Sequence, residues 1–318
     1  MNGPRLDVVI PAHKARFLGE TLESLALQDD RAFRVWVGDD ASPDDLAGVC
    51  TRFSDRLDIV HHRFSDNLGA TDLVGQWTRC VALGDSPWVW LFSDDDVASP
   101  GCVGALRRAL ADGAAVARLD LAIVGASGEV LDIPPAPPAR ESREQFLWQR
   151  LKRRRESFVV EYAFRRDRWQ SAGGFVSLPA AWCSDDATWW RLAGSDGIRH
   201  ASGGHVGWRW SGANISSSHR RDAEKREGCL RFLELVGSGG LAEMESTLGL
   251  APGAGADAAM DWLRFHLGGL RAPVGGREAM SIEERMERVV GSSAEGLAGM
   301  LRKRNWRLWA DRLRGRLR

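Results

Sequence analysis

At 318 residues, 44% of them hydrophobic and 27% charged, the chain has the profile of a soluble globular protein with enough core for one large or two smaller domains. Lys plus Arg and Asp plus Glu both number 43, so no global field selects nucleic acid or an acidic partner. Five widely spaced cysteines without a CxxC pair point to reduced thiols in a cytosolic protein, and no apolar run is long enough to cross a bilayer.

The chain opens almost directly into a strand, without a basic and apolar leader. Residues 6–12, LDVVIPA, are that strand, and Phe17, Leu18, Thr21, Leu22 and Leu25 then share one helical face. Residues 33–37 predict a second strand. It runs into Gly38-Asp39-Asp40-Ala41-Ser42-Pro43-Asp44-Asp45, a turn-rich acidic loop with N-cap residues for a helix through about Phe53. Residues 57–61 predict a third strand, Asp66-Asn67-Leu68-Gly69 a turn, and Leu73, Val74, Trp77 and Val81 a helix. Strands alternating with helices imply right-handed crossovers and a parallel sheet.

Residues 88–92, WVWLF, are five apolar residues in a row, as expected of a strand buried on both faces. They end in Asp94, Asp95 and Asp96. The carboxyl ends of strands in an open α/β sheet border the ligand crevice, so these charges would meet a ligand there. Unit charges about 5 Å apart repel by roughly 3 kcal/mol per pair at an effective dielectric near 20. A divalent cation would cancel that cost, and hard oxygen ligands without nearby Cys or His point to Mg²⁺ or Mn²⁺. The same triplet also suits a solvated acidic loop that caps the next helix.

Beyond it, residues 100–110 predict a helix, 119–133 a hairpin turning near Ser127-Gly128, and 134–138 (PPAPP) a surface connection. Residues 144–155 predict a helix carrying the basic run Lys152 to Arg155. Residues 158–164 predict a strand, before a short helix ending at Gly173-Gly174-Phe175. Asp185 and Asp186 open another helix, where its dipole favours carboxylates. From about Asp222 only helical patterns remain, broken by Gly237 to Gly240 and Ala251 to Ala256. The last 18 residues hold eight Arg or Lys against one Asp, interleaved with Trp306, Leu308, Trp309, Leu313 and Leu317. Such a helix suits an anionic membrane surface, or docking on its own domain or on a partner subunit.

The segments VVIPAHK, VGDDASPDD, NLG, LFSDDD, FRRDRWQSAGGF and CSDDATWWRLA, in this order, resemble the nucleotide-sugar-dependent glycosyltransferases of family 2 over roughly residues 6–218. The resemblance implies a GT-A fold, an α/β Rossmann-like and mostly parallel sheet flanked by helices. It would occupy residues 1–220, with residues 221–318 a helical C-terminal region. By the same resemblance Pro11 and Ala12, with Asp39 or Asp40, would line the nucleobase and ribose pocket of a UDP-sugar donor, and Asn67 and Gly69 would shape the turn beside its diphosphate.

Asp94, Asp95 and Asp96 would be the DXD-type motif for Mn²⁺ or Mg²⁺, with Asp95 at the strongest metal position and Ser93 where relatives carry the first Asp. Asp94 would also touch the donor. Asp185 matches the catalytic base, with Asp186 a rival. Asp186, Gly174 and Trp189 would serve the acceptor side. In HVGWRWSGANISS, neither His205 nor Ser211 is assigned as a ligand. Trp208 and Trp210 would share a strand face, with core packing the default and sugar stacking the alternative.

The implied activity is inverting, metal-dependent sugar transfer to a carbohydrate or lipid-linked acceptor in polysaccharide or glycolipid synthesis. The implied place is the cytoplasm, in peripheral contact with the inner membrane face. A metal-dependent phosphohydrolase and a non-catalytic nucleotide- or sugar-binding module remain as alternatives.

Overall fold

In the computed structural model of the protein, residues 5–212 and 218–304 are described. The chain divides into two compact units that no single cut separates. The first contains Met1–Arg143, Arg155–Ser177 and Thr188–Asn214; the second contains Glu144–Arg154, Leu178–Ala187 and Ile215–Arg318. The second unit thus draws on three separate segments of the chain.

The strands of the first unit are β1 (Leu6–Ala12), β2 (Phe33–Asp39), β3 (Ile59–Arg63), β4 (Trp88–Leu91), β5 (Val97–Ala98), β6 (Val116–Gly125), β7 (Val130–Asp132), β8 (Arg140–Glu141), β9 (Tyr162–Arg165) and β10 (Ile198–Trp210). They form one sheet in the order β3-β2-β1-β4-β9-β6-β10-β5, with β7 on β6 and β8 on β10. β1, β2, β3 and β4 are mutually parallel, as the alternation of strand and helix predicts. β9 runs antiparallel between β4 and β6. Helices α1 (Leu18–Ala26), α2 (Leu46–Thr51), α3 (Leu73–Val81) and α4 (Cys102–Ala111) provide the crossovers.

Local chemistry fixes these elements. Asp45 and Asp72 cap α2 and α3 by accepting from Gly48 N–H and Gly75 N–H, each at 2.8 Å. β4 is buried along its whole length, and Trp90 donates its Nε1–H to Val160 O at 2.7 Å, so its large ring enters the core without stranding a donor. The hairpin turn expected near Gly128 forms between β6 and β7, with Gly128 at φ +85. The expected strand at 158–164 is shorter. Val159–Glu161 is a 3₁₀ turn because Glu161 reaches back to Phe158 N–H at 2.7 Å and pairs with the buried Arg118.

α5 (Arg143–Leu151) lies almost wholly in the second unit, and α6 (Arg166–Ser171) in the first. α7 (Ser184–Ala193) starts in the second and ends in the first. The second unit also contains α8 (Asp222–Leu248), α9 (Ala254–Gly269) and α10 (Gly276–Val290), which bury Phe232, Met260, Trp262 and Met286. α8 breaks at Gly237, whose φ of 63 and ψ of 172 are not helical, as the glycine run predicted. The basic amphipathic pattern lies outside the described residues from Asn305 onward.

Candidate active site

Parallel pairing brings the carboxyl ends of β1, β2 and β4 to one edge of the sheet. Ala12 pairs with Asp39, and Val9 pairs with Leu91, so Pro11, Ala12, Asp39, Asp40 and the Asp94–Asp96 triplet gather there. The sequence signal for this edge is the abrupt change from apolar to acidic at two strand ends.

The two acidic residues at the end of β2 are tied into the protein by hydrogen bonds. Asp39 accepts from Ser42 N–H through one oxygen and from Arg63 Nη1 at 2.8 Å through the other, with His61 Nε2 at 3.1 Å. Asp40 accepts from Leu68 N–H and Gly69 N–H, both at 2.9 Å, and from Arg79 Nη2 at 2.6 Å. Both oxygens of each carboxylate are therefore used within the protein. Asp40 in effect clamps the Asn67-Leu68-Gly69 turn onto the end of β2. Gly69 allows this, because a Cβ there would stand 2.6 Å from Asp40 Oδ2. Asn67 is exposed, and its amide lies 3.4 Å from His13 Nε2.

The triplet divides into three environments. Asp94 Oδ2 accepts from the consecutive amides of His13 (2.8 Å) and Lys14 (2.9 Å), tying the end of β4 to the loop that follows β1. Asp96 is only 3% exposed, with Oδ1 accepting from Arg209 N–H at 2.7 Å and Oδ2 facing Ser93 Oγ at 2.5 Å. Asp95 is half-buried, and Ser93 Oγ meets its Oδ1 at 3.0 Å. Its other oxygen accepts no hydrogen bond among the described residues. Burial raises the pKa of all three, that of Asp96 to about 8. Ser93, standing where a first Asp was expected, thus holds the second and third.

This donor set fits a hard cation held by few protein ligands. Asp95, with the second oxygen of Asp94, can supply one or two carboxylate contacts, and Mg²⁺ or Mn²⁺ commonly completes such a shell with phosphates and water. No cluster of three or more His, Cys, Asp or Glu side chains suited to a metal exists among the described residues. Asp96 has both oxygens committed, to Arg209 N–H and to Ser93 Oγ.

In the second unit, Arg150 grips Asp186 with Nε at 3.0 Å from both oxygens and Nη2 at 2.8 Å from one. Among the described residues, Asp185 accepts only the neighbouring Asp186 N–H, at 2.9 Å. Burial, followed by repulsion from the Asp186 carboxylate, pushes the Asp185 pKa up to about 7. Of the two rivals, Asp185 has the environment of a proton acceptor and Asp186 that of an ion-pair partner.

The remaining acceptor-side expectations fare differently. Trp189 is fully buried, stacked on Tyr162 with ring centroids 4.9 Å apart and meeting Phe164 and Phe175, so it packs the core rather than lining a surface. Gly174, at φ +84, closes the turn after α6 and accepts from Arg191. Trp208 stacks on Phe158 at 4.0 Å, whereas Trp210 is 50% exposed and departs from the core-packing default. Arg79, Arg150 and Arg209 went unmarked in sequence reasoning. A signal existed only for Arg209, as a charge between two tryptophans in a strand, and period-2 alternation leaves its burial undecided.

Residues 7–164 match the profile of glycosyl transferase family 2. The chain carries a domain of that family. The structure of S. aureus TarS 1–349 in complex with UDP-GlcNAc superposes with a TM-score of 0.67 at 12% identity, covering 98% of this chain and 92% of that one. S. aureus TarS 1–349 in complex with UDP gives 0.63 at 13% identity, with the same coverage. GalNAc-T7 with UDP, GalNAc and Mn²⁺ gives 0.52 at 12%, covering 74% of this chain and 48% of that one. At these identities the likeness is one of fold, and it makes the family 2 chain a GT-A type α/β protein. A search of the curated proteins gives no match.

Proposed function

We propose that this family 2 glycosyltransferase moves a sugar from a UDP-sugar to an acceptor hydroxyl, inverting the anomeric centre. The observation that carries the reading is the division of labour in the triplet. Asp94 and Asp96 are built into the scaffold, and Asp95 keeps an oxygen for a ligand. A divalent cation bound by Asp95, with Asp94 beside it, would neutralise the donor diphosphate so that it departs with its charge compensated. The amides of His13 and Lys14, fixed by Asp94, keep the loop after Pro11 and Ala12 in place beside the donor.

In the transfer step the acceptor oxygen forms a bond to the anomeric carbon from the face opposite the diphosphate. The bond from that carbon to the diphosphate oxygen breaks, and UDP carries away the electron pair. Asp185 receives the hydroxyl proton. A pKa of about 7 leaves it ready to accept a proton near neutral pH. Asp186, held by Arg150, orients the start of α7.

Replacing Asp185 by Asn tests the reading. Turnover should fall by at least 100-fold, in line with the loss of a general base, while UDP-sugar affinity stays within about twofold. Undiminished turnover would remove Asp185 from the mechanism. Release of inorganic phosphate from simple esters would favour a phosphohydrolase instead.

A carbohydrate or lipid-linked acceptor at the inner membrane face belongs to the same reading, through the basic sequence after Arg304. Co-sedimentation with anionic vesicles that survives deletion of residues 305–318 would contradict that part.

A further inference from the structure

We infer that Arg209 is a positioning residue for the metal-binding aspartates, acting as a strut that fixes the direction of the Asp95 side chain. The inference rests on the donor site proposed above. Arg209 is 1% exposed and sits in β10, where antiparallel pairing of Val206 with Ala98 and Gly207 with Val97 carries the strand alongside the triplet. Its backbone N–H donates to Asp96 Oδ1 at 2.7 Å, and its Nε donates to the Asp95 carbonyl oxygen at 2.7 Å. One residue thus holds a neighbour's carboxylate and the peptide of the metal-binding residue itself.

The far end of the guanidinium is anchored equally well. Nη2 donates to Glu20 Oε2 at 2.7 Å on α1, and Nη1 donates to Ala126 O at 3.1 Å and Gly125 O at 3.4 Å in the β6–β7 turn. The group also lies 4.4 Å over the Phe17 ring. The start of α1 and the β6–β7 turn hold the fork, and the fork holds the Asp95 peptide. A carbonyl fixed in this way fixes the backbone dihedrals on either side of it. Asp95 therefore presents its open oxygen in one direction without paying ordering entropy when a cation arrives. Lysine cannot reproduce this, because an ammonium lacks the planar fork that serves Asp95, the β6–β7 turn and Glu20 at once.

Mn²⁺ titrations of the full chain in the presence of UDP, followed by electron paramagnetic resonance of the free ion, test the inference. Thermal unfolding without metal serves as the folding control. R209K should weaken Mn²⁺ binding by about 10-fold or more, the range seen when a group orienting a metal ligand is lost. Its affinity for UDP without metal should be unchanged. Glu20 is 58% exposed at its side chain, so E20A should fold, and it should weaken Mn²⁺ binding less, by about threefold or more.

Mn²⁺ held equally by wild type, R209K and E20A would overturn the role of Arg209 and leave the donor site standing. Equal loss of UDP affinity with and without Mn²⁺ would also overturn it, by showing general damage to the fold. A wild type that binds no Mn²⁺ with UDP would overturn both this inference and the donor-site reading. If R209K does not fold, E20A decides alone, and a wild-type titration in that variant refutes the strut.

Discussion

At the scale of single residues, carboxylates that look alike in sequence sit in different environments. Asp185 and Asp186 are adjacent, yet Arg150 claims one and burial tunes the other. With its pKa raised to about 7, Asp185 is protonated below that value, so kcat/KM should fall on the acid side with an apparent pKa near 7. The stability linkage runs the opposite way. The native state binds this proton more tightly than the unfolded chain does, so its contribution is present at low pH and is lost as pH rises from about 4 through about 7. Urea titrations should therefore show D185N flatter than wild type across that window, and identical slopes would contradict the raised pKa. Gly69→Ala sets a Cβ against an Asp40 carboxylate that Leu68 and Arg79 also hold. It should cost about 1–3 kcal/mol, as overpacking does, and weaken UDP binding. An unchanged melting temperature would mean that the turn yields. None of these distinctions was legible from the residues, because they depend on which arginine arrives from a distant part of the chain.

At the scale of elements, the sequence was most legible where period and punctuation agreed. β1, β2 and β4, with their crossover helices, follow from apolar runs cut by Pro, Asp and Gly, and these elements carry the acidic strand ends. Legibility failed where long-range partners decide exposure. Trp189 and Trp190 read alike in the sequence, as do Trp208 and Trp210, yet Trp189 is sealed among aromatic rings and Trp210 lies half open on β10. Trp189→Ala should cost about 3–5 kcal/mol, the range for removing a buried large aromatic. Trp210→Ala should stay within about 0.5 kcal/mol, as exposed sites do. Chemical denaturation of the two variants checks the contrast, and equal losses would refute the assigned packing. The 3₁₀ turn at Val159–Glu161 was illegible for a related reason, since the Glu161 carboxylate is committed to Arg118, which is 43 residues away.

At the scale of the whole molecule, the strand-helix alternation led to a parallel α/β sheet and the family resemblance to the GT-A class, and the family profile agrees with it. Composition changes near residue 220, but nothing local marks Glu144–Arg154 or Leu178–Ala187 as belonging with the later helices. The central claim is that Asp95 completes a nucleotide and metal site at the ends of β1, β2 and β4. Thermal unfolding of wild type and Asp95→Asn with UDP, each with and without Mn²⁺, tests it most directly. A ligand at about 100 times its dissociation constant adds roughly 2.7 kcal/mol to the native state, enough to raise the midpoint by a few degrees. If Asp95 holds the cation, UDP with Mn²⁺ should raise the wild-type midpoint, omitting Mn²⁺ should remove most of the rise, and Asp95→Asn should abolish the Mn²⁺-dependent part. A folded wild type that shows no shift with UDP and Mn²⁺, or an Asp95→Asn variant with the full shift, would contradict it.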